Sequence, residues 1–176
     1  GRSGRSAGRR PLHHAAAARM SGDPTLQHAS IVEIDRRGIL IRGPSGSGKT
    51  ALAVELLSRA RAANVSSALV ADDYAFLSRD ADTGGLVASV PDGIAGLVEL
   101  RGFGVVRVGE DRWTPRTRLI LSVELVPAGE TERVADPDRR ASFLDRDLPE
   151  LALAEHRPVA AAWAVFGWLD LAPRLL

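Results

Sequence analysis

One glycine-rich segment constrains what this chain can fold into more than any other feature. It reads Gly43-Pro44-Ser45-Gly46-Ser47-Gly48-Lys49-Thr50 and fits the G-x-x-x-x-G-K-T spacing of a phosphate-binding P-loop. A β-branched run at residues 38–42 precedes it, and apolar residues recur with helical spacing from Leu52 to Ala63. The alternative is an ordinary glycine-rich turn, but such a turn would have no reason to match all eight positions of the motif. The sequence therefore predicts a phosphate site between a strand and a helix.

Lys49 is the only lysine in the chain, since 22 of the 23 basic residues are arginine. A compact ammonium fits between the β- and γ-phosphates of a nucleotide, where a planar guanidinium would crowd them. Backbone N–H groups of the loop and the positive end of the following helix add to phosphate binding. We therefore assign residues 43–50 to nucleotide binding, with the Thr50 hydroxyl as a ligand for Mg²⁺.

Composition excludes several other classes of protein. An apolar content of 45% over 176 residues suffices for one full core, and no apolar run reaches membrane-spanning length. The net charge of +1 gives no strong attraction to nucleic acid or to an anionic membrane. Without cysteine, the chain has no disulfide, thiolate zinc site or cysteine nucleophile. No secretory signal is visible, so we expect a cytoplasmic location.

The chain is predicted to hold a single domain. Residues 1–22 are rich in Arg, Gly and Ala, and we expect a leader that is disordered or foreign to the native protein. Residues 23–176 form the predicted single domain, which carries the P-loop.

The pattern of elements indicates a mixed sheet. Strands are predicted at 31–34, 38–42, 67–70, 74–77, 86–90, 97–100, 105–108 and 118–126, with helices from the P-loop to Asn64 and over 158–171. Residues 127–147 are rich in Pro, Gly, Asp and Arg and are predicted to be a mobile loop. Because strands outnumber helices, the sheet should be partly antiparallel, without regular βαβ alternation.

Three acidic residues and one histidine are candidates for the remaining chemistry. Asp72 and Asp73 follow a short strand, where a carboxylate can hold the metal or activate an acceptor, although a surface turn gives the same pattern. Glu99 ends another short strand and could complete the metal site, but a plain strand end explains it equally well. His28 precedes the predicted hairpin, and a lone histidine is more often structural than catalytic.

Four segments in this order resemble the C-terminal catalytic domain of HPr kinase/phosphorylase. They are His28-Ala29-Ser30, residues 38–50, Leu69-Val70-Ala71-Asp72-Asp73 and Glu99-Leu100-Arg101-Gly102-Phe103-Gly104. The E-x-R-G-x-G segment after V-A-D-D distinguishes the family from generic P-loop ATPases. The resemblance extends from about residue 24 to about 135, and more weakly to the end of the chain.

The resemblance implies an α/β fold with a P-loop kinase core similar to that of phosphoenolpyruvate carboxykinase. It implies transfer of phosphate from ATP, with Mg²⁺, to a serine of HPr, a carrier protein of the phosphotransferase system. By position, Asp73 would be the base and His28 would orient it. Thr50, Asp72 and Glu99 would hold Mg²⁺.

An arginine would stabilise the transferring phosphoryl group in this family. Arg133 falls at about the matching position, and Arg139 and Arg140 compete with it because a loop allows register shifts. The alternative for all three arginines is that they are charged residues on a solvent-exposed loop, without a role in the reaction.

The sequence departs from the family pattern in three places. Only the leader precedes His28, so we expect a short form without the N-terminal regulatory domain. Residues 58–68 form a longer link than the family has, and the late Arg/Gly-rich loop is reduced to residues 155–158. We therefore expect kinase activity with weak or absent phosphorolysis. A homo-oligomer is implied by the resemblance, although the shortened late region argues against the family's hexamer.

Two other functions fit the same motifs. A P-loop kinase of this fold could act on another protein or on a small hydroxylated substrate, and a buried pocket would favour the latter. A nucleotide sensor without turnover would need only phosphate and metal ligands. His28, Asp73 and Glu99 together favour chemistry over sensing.

Overall fold

The computed structural model describes residues 20–175. The strands are β1 Met20–His28, β2 Ser30–Ile34, β3 Arg37–Arg42, β4 Ser67–Ala71, β5 Tyr74–Asp80, β6 Leu86–Ser89, β7 Leu97–Leu100, β8 Gly104–Arg107, β9 Arg116–Val126, β10 Arg140–Phe143 and β11 Arg146–Ala154. The helices are α1 Lys49–Ala62, α2 Pro158–Trp168 and α3 Ala172–Leu175, with 3-10 turns at Glu110–Arg112 and Ala128–Glu130.

Nine of these strands form one mixed sheet. Its order is β1-β5-β6-β9-β3-β2-β4, and β11 also pairs with β9 and carries β10. The pairs β3–β9 and β11–β9 are parallel, whereas the other pairs in the sheet are antiparallel. Strands β7 and β8 form a separate antiparallel hairpin. The long strand β9 pairs with β6 through its first residues and with β11 through its last ones.

The curled sheet encloses two hydrophobic cores. On one face, Ile39 and Ile41 of β3 pack with Leu56 of α1 and Phe166 of α2. On the other face, Leu40 packs with residues of β5 and β6, which fold over it. The alternation of Ile39, Leu40 and Ile41 between two buried faces explains the continuous apolar run that enters the glycine-rich loop. None of the helices in residues 20–175 combines the length and apolar character needed to cross a bilayer.

Most of the predicted elements are confirmed. The hairpin forms as β2 and β3, the helix after the loop ends at Ala62, and the late Ala-rich segment forms α2. The predicted class, a mixed and partly antiparallel α/β sheet with few helices, is also confirmed.

Two sequence predictions are wrong. The segment expected as a loop at 127–147 contains β10 and the start of β11, and β11 extends the sheet beside β9. The expected leader mostly lies outside the described residues, but residues 20–22 begin β1. Two of the missed strands contain a proline, Pro24 in β1 and Pro149 in β11, and a proline argues against a strand because it lacks the N–H donor of a sheet ladder.

An ionic cluster joins the strand that enters the glycine-rich loop to the late part of the chain. Arg42, the last residue of β3, bonds to Glu150 of β11 (Nη2–Oε2, 2.5 Å), whose side chain is 4% exposed. Arg139 donates to Glu150 Oε1 (3.1 Å) and to Glu124 Oε2 on β9 (2.9 Å). The Ser122 hydroxyl also donates to Glu150 (3.1 Å). Every hydrogen bond in the cluster lies close to the point where the loop begins.

The surroundings of Glu150 favour its charged form. Burial alone would raise the pKa of this carboxyl group, but hydrogen bonds and charge from Arg42, with further bonds from Ser122 and Arg139, outweigh it. The pKa therefore falls below its ordinary value of 4.5. Because the folded pKa is depressed, the resulting stability is complete above the unfolded pKa and is lost as the pH falls through the folded pKa.

We expect Glu150→Gln to destabilise the protein by about 2 kcal/mol at pH 7, because it leaves two arginines short of a carboxylate. The value is lower than for a fully buried pair, since Arg42 and Arg139 remain 31% and 40% exposed. Urea unfolding of both proteins between pH 3 and pH 8 measures the effect.

The difference from wild type should shrink as the pH falls through and below about 4.5. Glu132→Gln, at an exposed glutamate without a partner among residues 20–175, is the matched control and should change nothing. A difference that stays constant over the whole pH range would contradict this account.

Candidate active site

The glycine-rich loop, residues 43–48, connects β3 to α1 as the motif predicts. Gly43 (φ +146°) approaches β9 so closely that a Cβ would lie 2.9 Å from the Leu125 carbonyl oxygen. Gly48 (φ +100°) is in the left-handed region at the N-cap of α1 and packs against the backbone of His156. The His156 N–H also donates to the Ser47 carbonyl (3.1 Å). Neighbouring strands therefore hold the loop from two sides.

Lys49 points back along this loop. Its Nζ donates to the carbonyl oxygens of Gly43 (3.1 Å) and Pro44 (3.0 Å), and the residue is buried. Burial lowers the pKa of Lys49 from its ordinary value, and the nearby charges of Asp73 and Asp72 partly offset that effect. The ammonium thus lies within electrostatic reach of both aspartates.

Asp72 lies at the centre of the site and is buried. Its Oδ1 accepts the Ser30 hydroxyl (2.7 Å), and the Thr50 hydroxyl lies 2.9 Å from Oδ1 and 3.1 Å from Oδ2. The backbone N–H of Glu99 donates to Oδ2 (3.3 Å). A buried carboxylate requires such donors, and here they come from β2, α1 and β7.

Asp73 occupies a tight turn between β4 and β5. The Tyr74 N–H donates to the Asp72 carbonyl (3.0 Å), and Asp73 has φ +72° at the centre of this three-residue turn. The Ala29 N–H donates to the Asp73 carbonyl (3.0 Å), which fixes the turn to the start of β2. A non-glycine residue in this region is strained, and such strain concentrates at functional sites.

His28 lies beside Asp73, and its role as the residue that orients a base stays a prediction. Its Nε2 lies 4.0 Å from Asp73 Oδ1, an ion pair when the imidazole is protonated. The two side chains are 41% and 48% exposed, so solvent and a second molecule can reach both. The imidazole also packs against Tyr74, with ring centroids 5.4 Å apart. This contact with the Tyr74 ring helps to hold the His28 side chain near the turn.

Glu99 reaches the site through its backbone, on the hairpin of β7 and β8. Its N–H is the group that contacts Asp72, while its side chain is exposed. The same hairpin brings Arg101 over the loop, where its Nη2 would lie 3.4 Å from a Cβ placed on Gly46. A second cation therefore lies close to the loop.

The three candidate arginines lie in different surroundings. Arg139 is engaged by Glu124 and Glu150, and Arg140 donates to the carbonyl oxygens of Pro137 and Arg139. Arg133 has no hydrogen-bond or ion-pair partner within residues 20–175, and it lines a cavity of about 560 Å³ between α2 and β11. No contact joins Arg133 to Asp72, Asp73 or the loop in this part of the chain, so its role stays a prediction.

The oxygen groups around Asp72 fit Mg²⁺ better than a metal that needs an all-protein cage. Within residues 20–175, no group of three or more His, Cys, Asp or Glu side chains is arranged to hold a metal. Mg²⁺ typically keeps several waters and takes one or two carboxylates together with substrate phosphates. The carboxylate of Asp72 and the hydroxyl of Thr50, at the start of α1, match that donor set.

Sequence reasoning missed two contributors to the site. Ser30 lay within the quoted His28-Ala29-Ser30 segment but was given no role, and Arg101 lay within the quoted E-x-R-G-x-G segment. In each case the motif that contains the residue was the sequence signal that could have identified it. The contact between the loop and residues 155–157 had no such signal, because it depends on the placement of β11.

The fold and the site define an α/β protein in which a glycine-rich loop precedes the first helix. Comparisons with known proteins agree with this class. The family model of the HPr Serine kinase C-terminal domain matches residues 20–161. The HPr kinase/phosphorylases of Geobacillus kaustophilus and Bacillus licheniformis are each 33% identical over 136 residues, which is 73% of this chain. The HPr(Ser) kinase/phosphatase of Coxiella burnetii has a similar fold, with a TM-score of 0.68 and 24% identity over 83% of this chain and 88% of that one.

The chain therefore belongs to the HPr serine kinase C-terminal domain family, and the resemblance inferred from its motifs is confirmed. It spans 42% of the length of the curated relatives it matches. The similarity in structure shows the fold of this domain alone.

Lys49→Arg should weaken binding of Mg·ATP by about tenfold or more, because a guanidinium cannot replace a compact ammonium among the loop carbonyls. Calorimetric titration of the purified protein measures the dissociation constant. Arg61→Lys exchanges the same two residue types on the same helix, away from the loop, and should leave the dissociation constant unchanged. Equal affinity in Lys49→Arg and wild type would show that this lysine does not bind the phosphates.

Proposed function

We propose that this protein is an ATP- and Mg²⁺-dependent kinase that phosphorylates a serine of HPr or of an HPr-like carrier protein. Membership of the HPr serine kinase family supports this assignment. The observation that carries it is the half-exposed carboxylate of Asp73 beside the buried Asp72–Thr50 pair. This supports the proposal, because the serine of a folded protein could reach Asp73 next to the proposed phosphate and metal site.

In the proposed reaction, the glycine-rich loop and Lys49 hold the triphosphate of ATP. The serine hydroxyl attacks the γ-phosphorus in line, a new O–P bond forms, and the bond to the β,γ-bridging oxygen breaks. The bonding electrons leave with ADP, and the serine proton passes to Asp73. Positioning and electrostatic stabilisation supply most of the rate in phosphoryl transfer.

Each remaining residue has a defined part in this proposal. Mg²⁺, when bound, neutralises charge on the phosphate oxygens. Thr50 and Asp72 hold the metal, with Glu99 completing its surroundings. His28 orients Asp73 through their 4.0 Å contact. Arg133 remains our candidate for the transferring phosphoryl group, which would require its loop to approach the site.

The exposed surroundings of Asp73 support a protein substrate over a small molecule. The Asp73 side chain is half-exposed, and His28, Tyr74 and Phe103, at the tip of the β7–β8 hairpin, are exposed. A kinase for a small hydroxylated substrate would enclose its acceptor to exclude water. In cells, the proposed activity would regulate the phosphotransferase system.

We also propose that the core has the phosphoenolpyruvate carboxykinase type of P-loop architecture. The parallel pair β3–β9 next to the antiparallel pair β3–β2 supports this, since a doubly wound P-loop protein would have parallel strands on both sides. The reverse reaction, phosphorolysis of phosphoserine, is proposed to be weak because only residues 155–158 replace the late loop. Release of pyrophosphate from phospho-HPr and inorganic phosphate would contradict that part.

The decisive assay follows transfer of labelled γ-phosphate from ATP to HPr, with Asp73→Asn as the test variant. Asparagine tolerates the positive φ of this position, so the turn should be retained. We expect wild type to label serine, and Asp73→Asn to lose at least about 100-fold in rate with unchanged affinity for Mg·ATP.

Asp170→Asn, at an exposed aspartate that also has a positive φ (+57°), is the matched control and should retain full activity. Asp170 follows Leu169, whose carbonyl oxygen accepts from Arg37 at the opposite end of β3 from the loop. If wild type binds Mg·ATP tightly but labels neither HPr nor any other protein, the nucleotide-sensor function becomes the better assignment. Full activity in Asp73→Asn would show that Asp73 is not the base.

A further inference from the structure

Ser30 stands out among the polar residues near the site because nothing in the proposed chemistry requires it. It is the first residue of β2, and it is 1% exposed. Its hydroxyl makes the shortest of the hydrogen bonds to Asp72, 2.7 Å from Oδ1. The two residues are 42 positions apart in sequence, so the contact depends on the pairing of β2 with β4.

The pairing of these strands is irregular at this point. Ile31 pairs with Ala71 but Val32 pairs with Leu69, so the register shifts just after Ser30. Beyond the shift, Ala29 holds the backbone of Asp73. The irregularity therefore places Ser30 beside Asp72 and Ala29 beside Asp73.

The direction of the Thr50 hydroxyl depends on where the Asp72 carboxylate lies. A hydroxyl has one hydrogen and two lone pairs, and Thr50 gives its hydrogen to Asp72. Its lone pairs then face away from Asp72 and are available to a cation. Rotation of the carboxylate would redirect the hydrogen and with it the lone pairs.

We propose that Ser30 is a positioning residue, whose hydrogen bond to Asp72 fixes that carboxylate so that Thr50 presents its oxygen to Mg²⁺. This inference rests on the proposed function, because it assigns the metal to the same site. Ser30 itself touches neither metal nor nucleotide. Partners of this kind, which orient the groups that bind a metal, change metal affinity by about 10- to 100-fold when removed.

The chain offers a matched control for removing a buried serine hydroxyl. Ser78 on β5 is also 1% exposed, and its hydroxyl has no hydrogen-bond partner among the residues that the structure describes. Ser78→Ala therefore removes the same atom from an equally buried strand position, away from Asp72. Ser30→Cys provides a second test variant, since it replaces the hydroxyl with a thiol at the same position on Cβ, and a thiol is only a weak donor.

The experiment measures binding of Mn²⁺, used as the probe for Mg²⁺, by the loss of the free-ion electron paramagnetic resonance signal in the presence of ADP. We expect Ser30→Ala to weaken Mn²⁺ binding by about 10- to 100-fold, and Ser30→Cys to weaken it less. Affinity for ADP without metal should stay within about twofold of wild type, since the phosphate loop is unchanged. Ser78→Ala should match wild type in both measurements.

Each outcome decides the inference. If Ser30→Ala binds Mn²⁺ as tightly as wild type, the positioning role of Ser30 is overturned while the proposed function stands. The same holds if Ser30→Ala and Ser78→Ala lose equal affinity for Mn²⁺. If wild type with ADP binds no Mn²⁺, the proposed function fails and the inference fails with it. Should Ser30→Ala not fold, undiminished Mn²⁺ binding by Ser30→Cys would overturn the inference, and reduced binding would support it.

Discussion

The buried carboxylate of Asp72 is the interaction on which the site depends. Three parts of the chain donate hydrogen bonds to it: Ser30 from β2, Thr50 from α1 and the Glu99 backbone from β7. An uncompensated charge at this depth would be strongly unfavourable, so the carboxylate holds the three elements together only while all donors are in place. The glycine-rich loop, the start of β2 and the β7–β8 hairpin are therefore positioned by one group.

The other candidate catalytic residues near Asp72 are positioned where two short segments of the chain lie side by side. Residues 28–30 lie alongside Asp72 and Asp73, and each contributes differently. The His28 side chain faces Asp73, the Ala29 backbone holds the Asp73 carbonyl, and the Ser30 hydroxyl holds Asp72. The positive φ of Asp73 turns its side chain out of the strand path, so adjacent aspartates reach different environments. One carboxylate is buried among donors, and the other is open to a substrate.

The ionic cluster around Glu150 supports the same site from the opposite end of the loop. Arg42 immediately precedes Gly43, and its partners Glu124 and Glu150 belong to β9 and β11. Arg139, just before β10, donates to the same two carboxylates. The late part of the chain thus helps to position the glycine-rich loop from outside it. The contact of His156 with Ser47 has the same effect.

Sequence reasoning succeeded where the signal is local. The position of the glycine-rich loop between a strand and a helix, the hairpin of β2 and β3, and helix α1 each depend on residues close in sequence, and each is confirmed. It failed for β1 and β11, whose pairing is decided by distant strands and whose prolines favour a loop assignment. Contacts such as Ser30–Asp72 and Arg42–Glu150 join residues 42 and 108 positions apart, so spacing alone does not reveal them.

A crystal structure with Mg²⁺ and a non-hydrolysable ATP analogue tests the central claim most directly. The account predicts Thr50 Oγ1 about 2.1 Å from the metal, with Asp72 still accepting from Thr50 and Ser30, and with Asp73 facing the γ-phosphate. Metal bound to Asp73 instead, or an Asp72 carboxylate turned away from Ser30 and Thr50, would contradict the assignment of the two aspartates.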